Sequence, residues 1–271
     1  MSNFEEFVLP LSEQWENLTL ANDFMFGKVF QDEGLCLELV RLILSELDIE
    51  RVVLRENHRA LHQTLDTYGV RSDVYLHDDK GRIINVEMQI ADRGNLPKRT
   101  RVYHSIIDLD AMDRSRKAIY ANMPEVIVIF ICAFDPFKLG RCIYTFKNVC
   151  IEERDLLMND EASTVFLNTK GQDEEISPRL KAFLKYLEGE SGDDEFVKRL
   201  EERLKIARQN KYSRQEYLLA KFDHDENVEE GIREGVKREK SETARRMRAA
   251  KMTNKQISLA TGLSFEEISK I

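Results

Sequence analysis

The sequence predicts an α/β fold in which helices flank a mixed central sheet, followed by an α-helical C-terminal extension. Strand and helix patterns alternate up to about residue 170. A nine-residue apolar run, Val126 to Phe134, is typical of a central strand that is covered on both faces. From Ser177 onward the strand patterns stop and charged helical patterns replace them.

The first helical pattern covers residues 22–46. Asn22 or Asp23 can cap its N-terminus, because a short polar side chain accepts hydrogen bonds from the first free backbone amides. Apolar residues then recur at helical spacing: Phe26, Val29, Phe30, Leu37, Val40, Leu44 and Leu47. The pattern predicts one continuous helix.

Strand patterns and one helix fill the middle of the chain. Residues 72–77 and 82–90 alternate in polarity and flank residues 78–81, which suit a hairpin turn. A helix is predicted from Pro97 to about Arg114. The other predicted strands are at 51–55, 126–134, 141–147 and 163–167.

Helical patterns occupy the rest of the chain, over 178–188, 194–209 and 214 to about 248. Gly231 and Gly235 lie four residues apart in the last of them and mark either close helix packing or a weak stretch. Residues 253–271 form a small helix-turn-helix pattern with capping residues at both helix starts. We predict three parts: a globular α/β domain at 1–190, a helical extension at 191–236, and a basic helix with a small helix-turn-helix-like tail at 237–271.

Composition limits the function classes. The 271 residues are 42% hydrophobic, so a solid core is expected, and the longest apolar run is far shorter than the roughly 20 residues of a membrane span. The acidic N-terminus does not resemble a signal peptide, and four cysteines without a C-x-x-C pair disfavour zinc. We expect a cytoplasmic protein with reduced thiols. The net charge of −8 argues against coating nucleic acid by bulk charge, but a local basic surface stays possible.

The residues that can carry chemistry lie on the predicted hairpin. Because side chains alternate across a strand, Glu87 and Gln89 share one face, opposite to Val86 and Met88. Asp73 begins the partner strand, so pairing can bring its carboxylate near Glu87. Two carboxylates suit Mg²⁺, and such an ion can activate water for phosphodiester cleavage. The alternative is an ordinary strand start beside a solvated polar face.

Four ordered blocks surround these residues, at 22–30, 71–74, 85–89 and 101–105. Asp73, followed 14 residues later by Glu87-Met88-Gln89, is similar to the PD-(D/E)xK nuclease signature in the variant that ends in ExQ. Together the blocks resemble the Rpn family of recombination-promoting nucleases, or transposases, within that superfamily. The likeness extends over roughly residues 17–190 and into the helical tail.

The resemblance implies a restriction-endonuclease-like core and metal-dependent endonucleolytic cleavage of DNA. By position, Asp73, Glu87 and Gln89 would be the catalytic residues, with Asp73 and Glu87 as metal ligands. Asp23 matches the family's helix acid and would complete the metal shell, unless it only caps the helix. The implied cofactor is Mg²⁺, or another divalent cation such as Mn²⁺ or Ca²⁺.

Two departures from the signature bear on activity. Ser72 replaces the signature proline, and Gln89 stands where the signature has lysine. Glutamine brings no positive charge, so a nearby base such as Lys98 or Arg101 would have to supply it. The missing lysine favours an alternative function, a catalytically weak protein that keeps the nuclease fold as a DNA-binding or assembly module.

Two basic regions are candidates for DNA contact. Lys98, Arg99 and Arg101 cluster at the start of the helix after the hairpin. Residues 237–255 contain eight basic and two acidic residues, and we predict DNA contacts there for Arg245, Arg246 and Lys255. Because acidic residues follow in the final helix, self-association of the C-terminal helices into a homo-oligomer is the alternative for this tail.

Overall fold

The computed structural model describes residues 11–54, 73–114, 120–173 and 175–271. The predictions for the N-terminal ten residues, for Ser72 and for the last residue of the strand at 51–55 lie outside these ranges. The first part of the chain contains α1 (Leu11–Glu16), α2 (Asp23–Val29), α3 (Glu33–Ile43), β1 (Val52–Leu54), β2 (Val74–Asp78), β3 (Ile83–Gln89), α4 (Leu96–Arg114), β4 (Val126–Cys132), β5 (Ile143–Phe146) and β6 (Ala162–Asn168). The later helices are α5 (Pro178–Leu187), α6 (Glu195–Gln209), α7 (Lys211–Ala249), α8 (Asn254–Thr261) and α9 (Phe265–Ser269).

The described strands form one mixed sheet in the order β1-β2-β3-β4-β6-β5. The central strands β3, β4 and β6 run parallel, whereas β1, β2 and β5 pair antiparallel with their neighbours. Every residue of β4 is buried, as a strand with neighbours on both edges and cover on both faces requires. The predicted fold class, a mixed sheet flanked by helices with a helical C-terminal extension, is confirmed.

The prediction of one continuous helix over residues 22–46 is wrong. Asn22 caps α2 by accepting a hydrogen bond from the Met25 amide, and α2 ends at Val29. Asp32 then caps α3 by accepting from the Leu35 amide at 3.0 Å. The apolar spacing continues across the break because both helices bury one face, so periodicity alone does not reveal the second start.

Helix α4 packs on one face of the sheet. Tyr103, Ile106 and Ile107 of this helix form a buried cluster with side chains of β3, β4 and β6, such as Phe130 and Phe166. The alternate residues of β3 point to the opposite face, and they are also buried. Helix α6 contacts α2, α3 and α5 and buries Phe196, Val197, Leu200 and Leu204.

The chain divides into two compact units after Ser213. In the second unit, Ala244 of α7 forms a small core with Ile257, Leu263 and Ile268. Capping boxes at Thr253 and Ser264 start α8 and α9, and Gly262 at φ 72° ends α8, as the sequence predicts for a helix-turn-helix pattern. The boundaries predicted at 190 and 236 stay predictions. Within the described ranges, each helix is too short or too polar to cross a membrane.

Candidate active site

The β2–β3 hairpin places Asp73 opposite Glu87. The antiparallel register pairs Val74 with Val86, so one further residue brings Asp73 across from Glu87. Directly opposed residues in an antiparallel pair share a face of the sheet. The Oδ2 atom of Asp73 accepts a hydrogen bond of 2.7 Å from the Met88 amide, which fixes the carboxylate at the edge of the strand.

Glu87 is buried and held at both carboxylate oxygens. Only 2% of its surface is exposed. Its Oε1 accepts from Asn85 Nδ2 at 3.0 Å, and its Oε2 accepts from the Tyr103 hydroxyl at 3.0 Å. Burial of a carboxylate is unfavourable unless such partners are provided, so a solvated strand face is excluded for this residue. The environment instead presets the direction in which Glu87 points.

Gln89 connects the strand to Arg99 of α4. The Arg99 Nη1 donates to Gln89 Oε1 at 2.6 Å, and its Nη2 donates to the Tyr103 hydroxyl at 3.1 Å. Gln89 uses its own Nε2 to donate to the Met88 carbonyl at 2.9 Å. The guanidinium therefore lies within the side-chain network of the site, whereas Lys98 and Arg101 are exposed on the same helix.

Tyr103 joins the two halves of this network. Burial, followed by the charge of Glu87, raises the pKa of Tyr103 far above its ordinary value. The hydroxyl therefore keeps its proton and stays a donor to Glu87, while it accepts from Arg99. Glu87, Tyr103, Arg99 and Gln89 form one continuous chain of hydrogen bonds.

The pKa of Asp73 is raised well above its ordinary value. Burial is the largest cause, and the charge of Glu87 is the next. The Met88 amide and the charge of Arg99 act in the opposite direction. The two carboxylates therefore repel each other when both are ionised, and a bound cation would relieve that repulsion.

Asp23 is near enough to Asp73 for its charge to act on it, but Asp23, Asp73 and Glu87 do not form a three-residue metal-binding group. Its charge raises the pKa of Asp73, although the side chain is exposed at the start of α2. Asn22, and not Asp23, caps the helix. A Cβ added at Gly27 of α2 would lie 3.3 Å from the Asp73 carbonyl oxygen, so α2 passes close to this strand start. The described residues contain no group of three or more His, Cys, Asp or Glu side chains that could hold a metal ion.

The donor set of Asp73 and Glu87 nevertheless fits a divalent cation. Both residues offer carboxylate oxygens, the ligands that Mg²⁺ and Ca²⁺ prefer. Magnesium sites commonly use one or two protein carboxylates and fill the remaining positions with water and substrate oxygens. The mutual repulsion of Asp73 and Glu87 also favours a bound cation, because the cation would neutralise part of their charge.

Two members of the site, Asn85 and Tyr103, are not among the predicted site residues. Asn85 lies two residues before Glu87 on the same strand face, and Tyr103 follows Arg99 by one helical turn. Arg99 hydrogen-bonds to Gln89 and Tyr103 within the site, and its contact with DNA phosphate stays a prediction. His104 lies apart from these residues, since its Nε2 is 3.1 Å from Thr164 Oγ1.

The predicted DNA contacts of the second unit differ in their surroundings. Arg245 and Lys255 are exposed. Arg246 is exposed as well, is paired with Glu239 at 3.0 Å and is within hydrogen-bond distance of Thr243. DNA contact by these three residues stays a prediction.

One comparison with known proteins matched this chain to a protein family. A family model described as PD-(D/E)XK nuclease family transposase matches residues 20–231, which include Asp73, Glu87 and Gln89. No curated protein and no solved structure matched the chain.

Proposed function

Because the chain belongs to the PD-(D/E)XK nuclease family transposases, we propose that it is a metal-dependent DNA endonuclease. It would hydrolyse phosphodiester bonds and act in recombination, mobile-element movement or defence, and a cytoplasmic location belongs to the same proposal. The observation that carries it is Glu87, a buried carboxylate fixed by Asn85 and Tyr103 opposite Asp73. A strand of purely structural role would bury an apolar side chain at this position.

Asp73 and Glu87 would hold the cation, which we expect to be Mg²⁺, with Mn²⁺ or Ca²⁺ as alternatives. When bound, such an ion supplies charge that neutralises a phosphodiester and lowers the pKa of water. The hydrogen bonds from Asn85 and Tyr103 keep Glu87 from rotating away, so the carboxylate needs little reorganisation when DNA arrives. The charge of Asp23 contributes to the raised pKa of Asp73, and Asp23 stays a candidate for a further contact to the cation.

Arg99 is the base that compensates for the missing signature lysine. Its guanidinium contacts Gln89 and Tyr103, and its positive charge lowers the pKa of Asp73. Gln89 has no positive charge of its own, but its side-chain carbonyl oxygen accepts a hydrogen bond from the Arg99 guanidinium. Gln89 therefore acts as a positioning residue for Arg99. Lys98 or Arg101 is predicted for this role from the sequence, but the contacts support Arg99.

Replacing Arg99 should slow cleavage rather than DNA binding. We expect Arg99→Met to lower the single-turnover cleavage rate at saturating DNA by about a hundredfold, the effect of removing one preorganised donor from an active site. Arg99→Lys keeps the charge but gives up the two-pronged hydrogen bonding, so it should recover part of the rate. The comparison variant is Arg101→Met, which should weaken DNA affinity in a salt-dependent way and affect the saturated rate little.

A wild-type saturated rate in Arg99→Met would remove Arg99 from the mechanism. Circular dichroism on both variants separates this result from a folding defect, because a folded but slow Arg99→Met protein is the outcome that supports the role.

Exposed basic residues support DNA as the partner. Lys98 and Arg101 lie on the exposed part of α4, the helix that carries Arg99. Arg245 and Lys255 offer similar groups in the second unit. Charged side chains of this kind contact the phosphate backbone and carry no sequence information, so they would position the duplex rather than select a site.

A catalytically weak DNA-binding or assembly module is the second candidate function. Gln89 favours it, since the signature lysine is absent. The two functions differ in one assay, cleavage of DNA under conditions in which the DNA is fully bound.

The proposal is tested with purified full-length protein and supercoiled plasmid. Addition of Mg²⁺ should convert the plasmid to nicked or linear forms, and a chelator should stop the conversion because the paired carboxylates alone supply no positive charge to neutralise the phosphodiester. Binding is followed in parallel by a gel-shift assay. Binding without cleavage in Mg²⁺, Mn²⁺ and Ca²⁺ would favour the assembly module, and cleavage that persists in the chelator would contradict the metal-dependent mechanism.

A further inference from the structure

The long helix α7 carries an exposed apolar stripe that the nuclease proposal does not use. Val228, Ile232 and Val236 follow one another at intervals of four residues and are 45%, 60% and 49% exposed. Residues at this spacing lie on one face of a helix. A helix that is fully solvated is normally polar on all sides, so three β-branched apolar side chains in a row indicate a surface that meets a partner.

Two glycines flank the same stripe. Gly231 and Gly235 lie in the interior of α7, where each is less favourable than alanine by about 1 kcal/mol. A Cβ added at either position would meet no atom of the described residues within 4 Å, so packing within this part of the chain does not require them. Glycine does allow two helix backbones to approach closely, which gives these residues a purpose at an interface between helices.

The charges on α7 change sign along the helix. Residues 223–230 include five acidic residues and no lysine or arginine. Residues 237–248 include six basic residues and two acidic ones. The apolar stripe begins at Val228 in the acidic segment and ends at Val236, directly before the basic segment, so Ile232 is near the point where the charge reverses.

We propose that α7 pairs in antiparallel orientation with α7 of a second copy of this chain, crossing near Ile232. In this arrangement the acidic segment of each helix lies beside the basic segment of the other, and the two apolar stripes cover each other. A two-fold axis makes the contact self-complementary and limits it to two copies. A parallel pair would place acidic beside acidic and basic beside basic, which is repulsive.

The proposal does not depend on nuclease activity. It concerns a surface of the second unit alone, and a protein without cleavage activity could still form the pair. Conversely, a monomeric protein that cleaves DNA would overturn the pairing and leave the nuclease proposal intact.

Sedimentation equilibrium on the full-length protein at micromolar concentration tests the pairing. We expect a mass twice the 31.7 kDa of one chain. Ile232→Glu introduces a charge at the centre of the contact on both copies and should weaken association at least a hundredfold. Leu219→Glu is the matched control, because Leu219 is 65% exposed on α7 but lies outside the stripe, and it should stay dimeric.

Salt identifies the orientation. Added salt screens the attraction between opposite charges, so an antiparallel dimer should weaken as salt increases, whereas a parallel dimer should strengthen. A monomeric wild-type protein, an Ile232→Glu protein that stays dimeric, or a dimer strengthened by salt would each overturn the proposal. Unchanged circular dichroism in both variants excludes loss of helix as the cause of dissociation.

Discussion

Asp73→Asn is expected to abolish plasmid nicking and, at the same time, to stabilise the metal-free protein. Asparagine keeps the size of the side chain but removes one of the two carboxylate charges that would hold the cation. We expect a loss of cleavage of about a thousandfold, at the upper end for removal of one electrostatic stabiliser. Stability should increase at neutral pH because the two main causes of the raised pKa of Asp73, burial of its charge and repulsion from Glu87, are gone.

The direction of the pH dependence follows from the raised pKa. In the metal-free wild type, folded Asp73 binds a proton more tightly than unfolded Asp73, whose pKa is about 4. The resulting stabilisation is fully present below that unfolded value and is lost as the pH rises through the higher folded value. Urea denaturation in chelator should show this loss for the wild type and not for Asp73→Asn. Because Mg²⁺ needs the ionised ligand, its stabilising effect should appear only at the higher pH.

Two further variants make the test specific. Glu87→Gln should also stop nicking, and it should weaken the pH dependence, because after burial the charge of Glu87 is the next cause of the raised pKa of Asp73. Asp155→Asn, on the exposed connection between β5 and β6, should leave both cleavage and stability unchanged. Nicking by Asp73→Asn at the wild-type rate would mean that the activity belongs to another site or to a contaminant.

Truncation after residue 190 should unfold the protein, whereas truncation after Ser213 should preserve it. The first cut removes α6, which packs against α2, α3 and α5 and buries Phe196, Val197, Leu200 and Leu204. Burial of four such side chains contributes roughly 6–12 kcal/mol, at about 1.5–3 kcal/mol each. That sum is comparable to the whole stability of a typical domain, roughly 5–15 kcal/mol.

The loss of α6 should also disturb the position of Asp73 in the candidate active site. Helix α6 contacts α2, and Gly27 of α2 lies against the backbone of Asp73. The end of α6 is further tied to the N-terminal region, since the Trp15 indole donates to the Arg208 carbonyl at 2.8 Å. We therefore expect the nuclease domain to extend to Ser213, where the chain divides into compact units, and the truncations test this expectation against the boundary predicted at 190.

Urea denaturation and plasmid nicking of the two fragments check this boundary. The fragment 1–213 should unfold cooperatively and cleave DNA, and the fragment 1–190 should show neither property. If the tail residues bind phosphates, the affinity of the fragment 1–213 should also depend less steeply on salt, by about 0.9 in slope for each phosphate that the tail neutralises in the full chain. Cooperative unfolding of 1–190 with intact nicking would restore the boundary predicted from the sequence.

The sequence by itself determined the elements whose signals are local. The alternation of side chains along a strand is enough to place Glu87 and Gln89 on one face, and the hairpin register follows from the short turn between β2 and β3. The caps at Thr253 and Ser264 are equally local, because each is completed within three residues. The fold class and the two signature acids could therefore be predicted without a structure.

Only the tertiary structure decided what surrounds those acids. Periodicity shows that β3 has two faces but not which helix covers each, so it cannot show that α4 brings Arg99 to Gln89 and Tyr103 to Glu87. For the same reason it leaves open a solvated position for Glu87, although packing buries this residue. The packing of α6 against α2, which is far from it in the sequence, is likewise visible only in the structure. Contacts between elements depend on how their apolar faces fit together in space, and residue spacing along the chain does not contain this information.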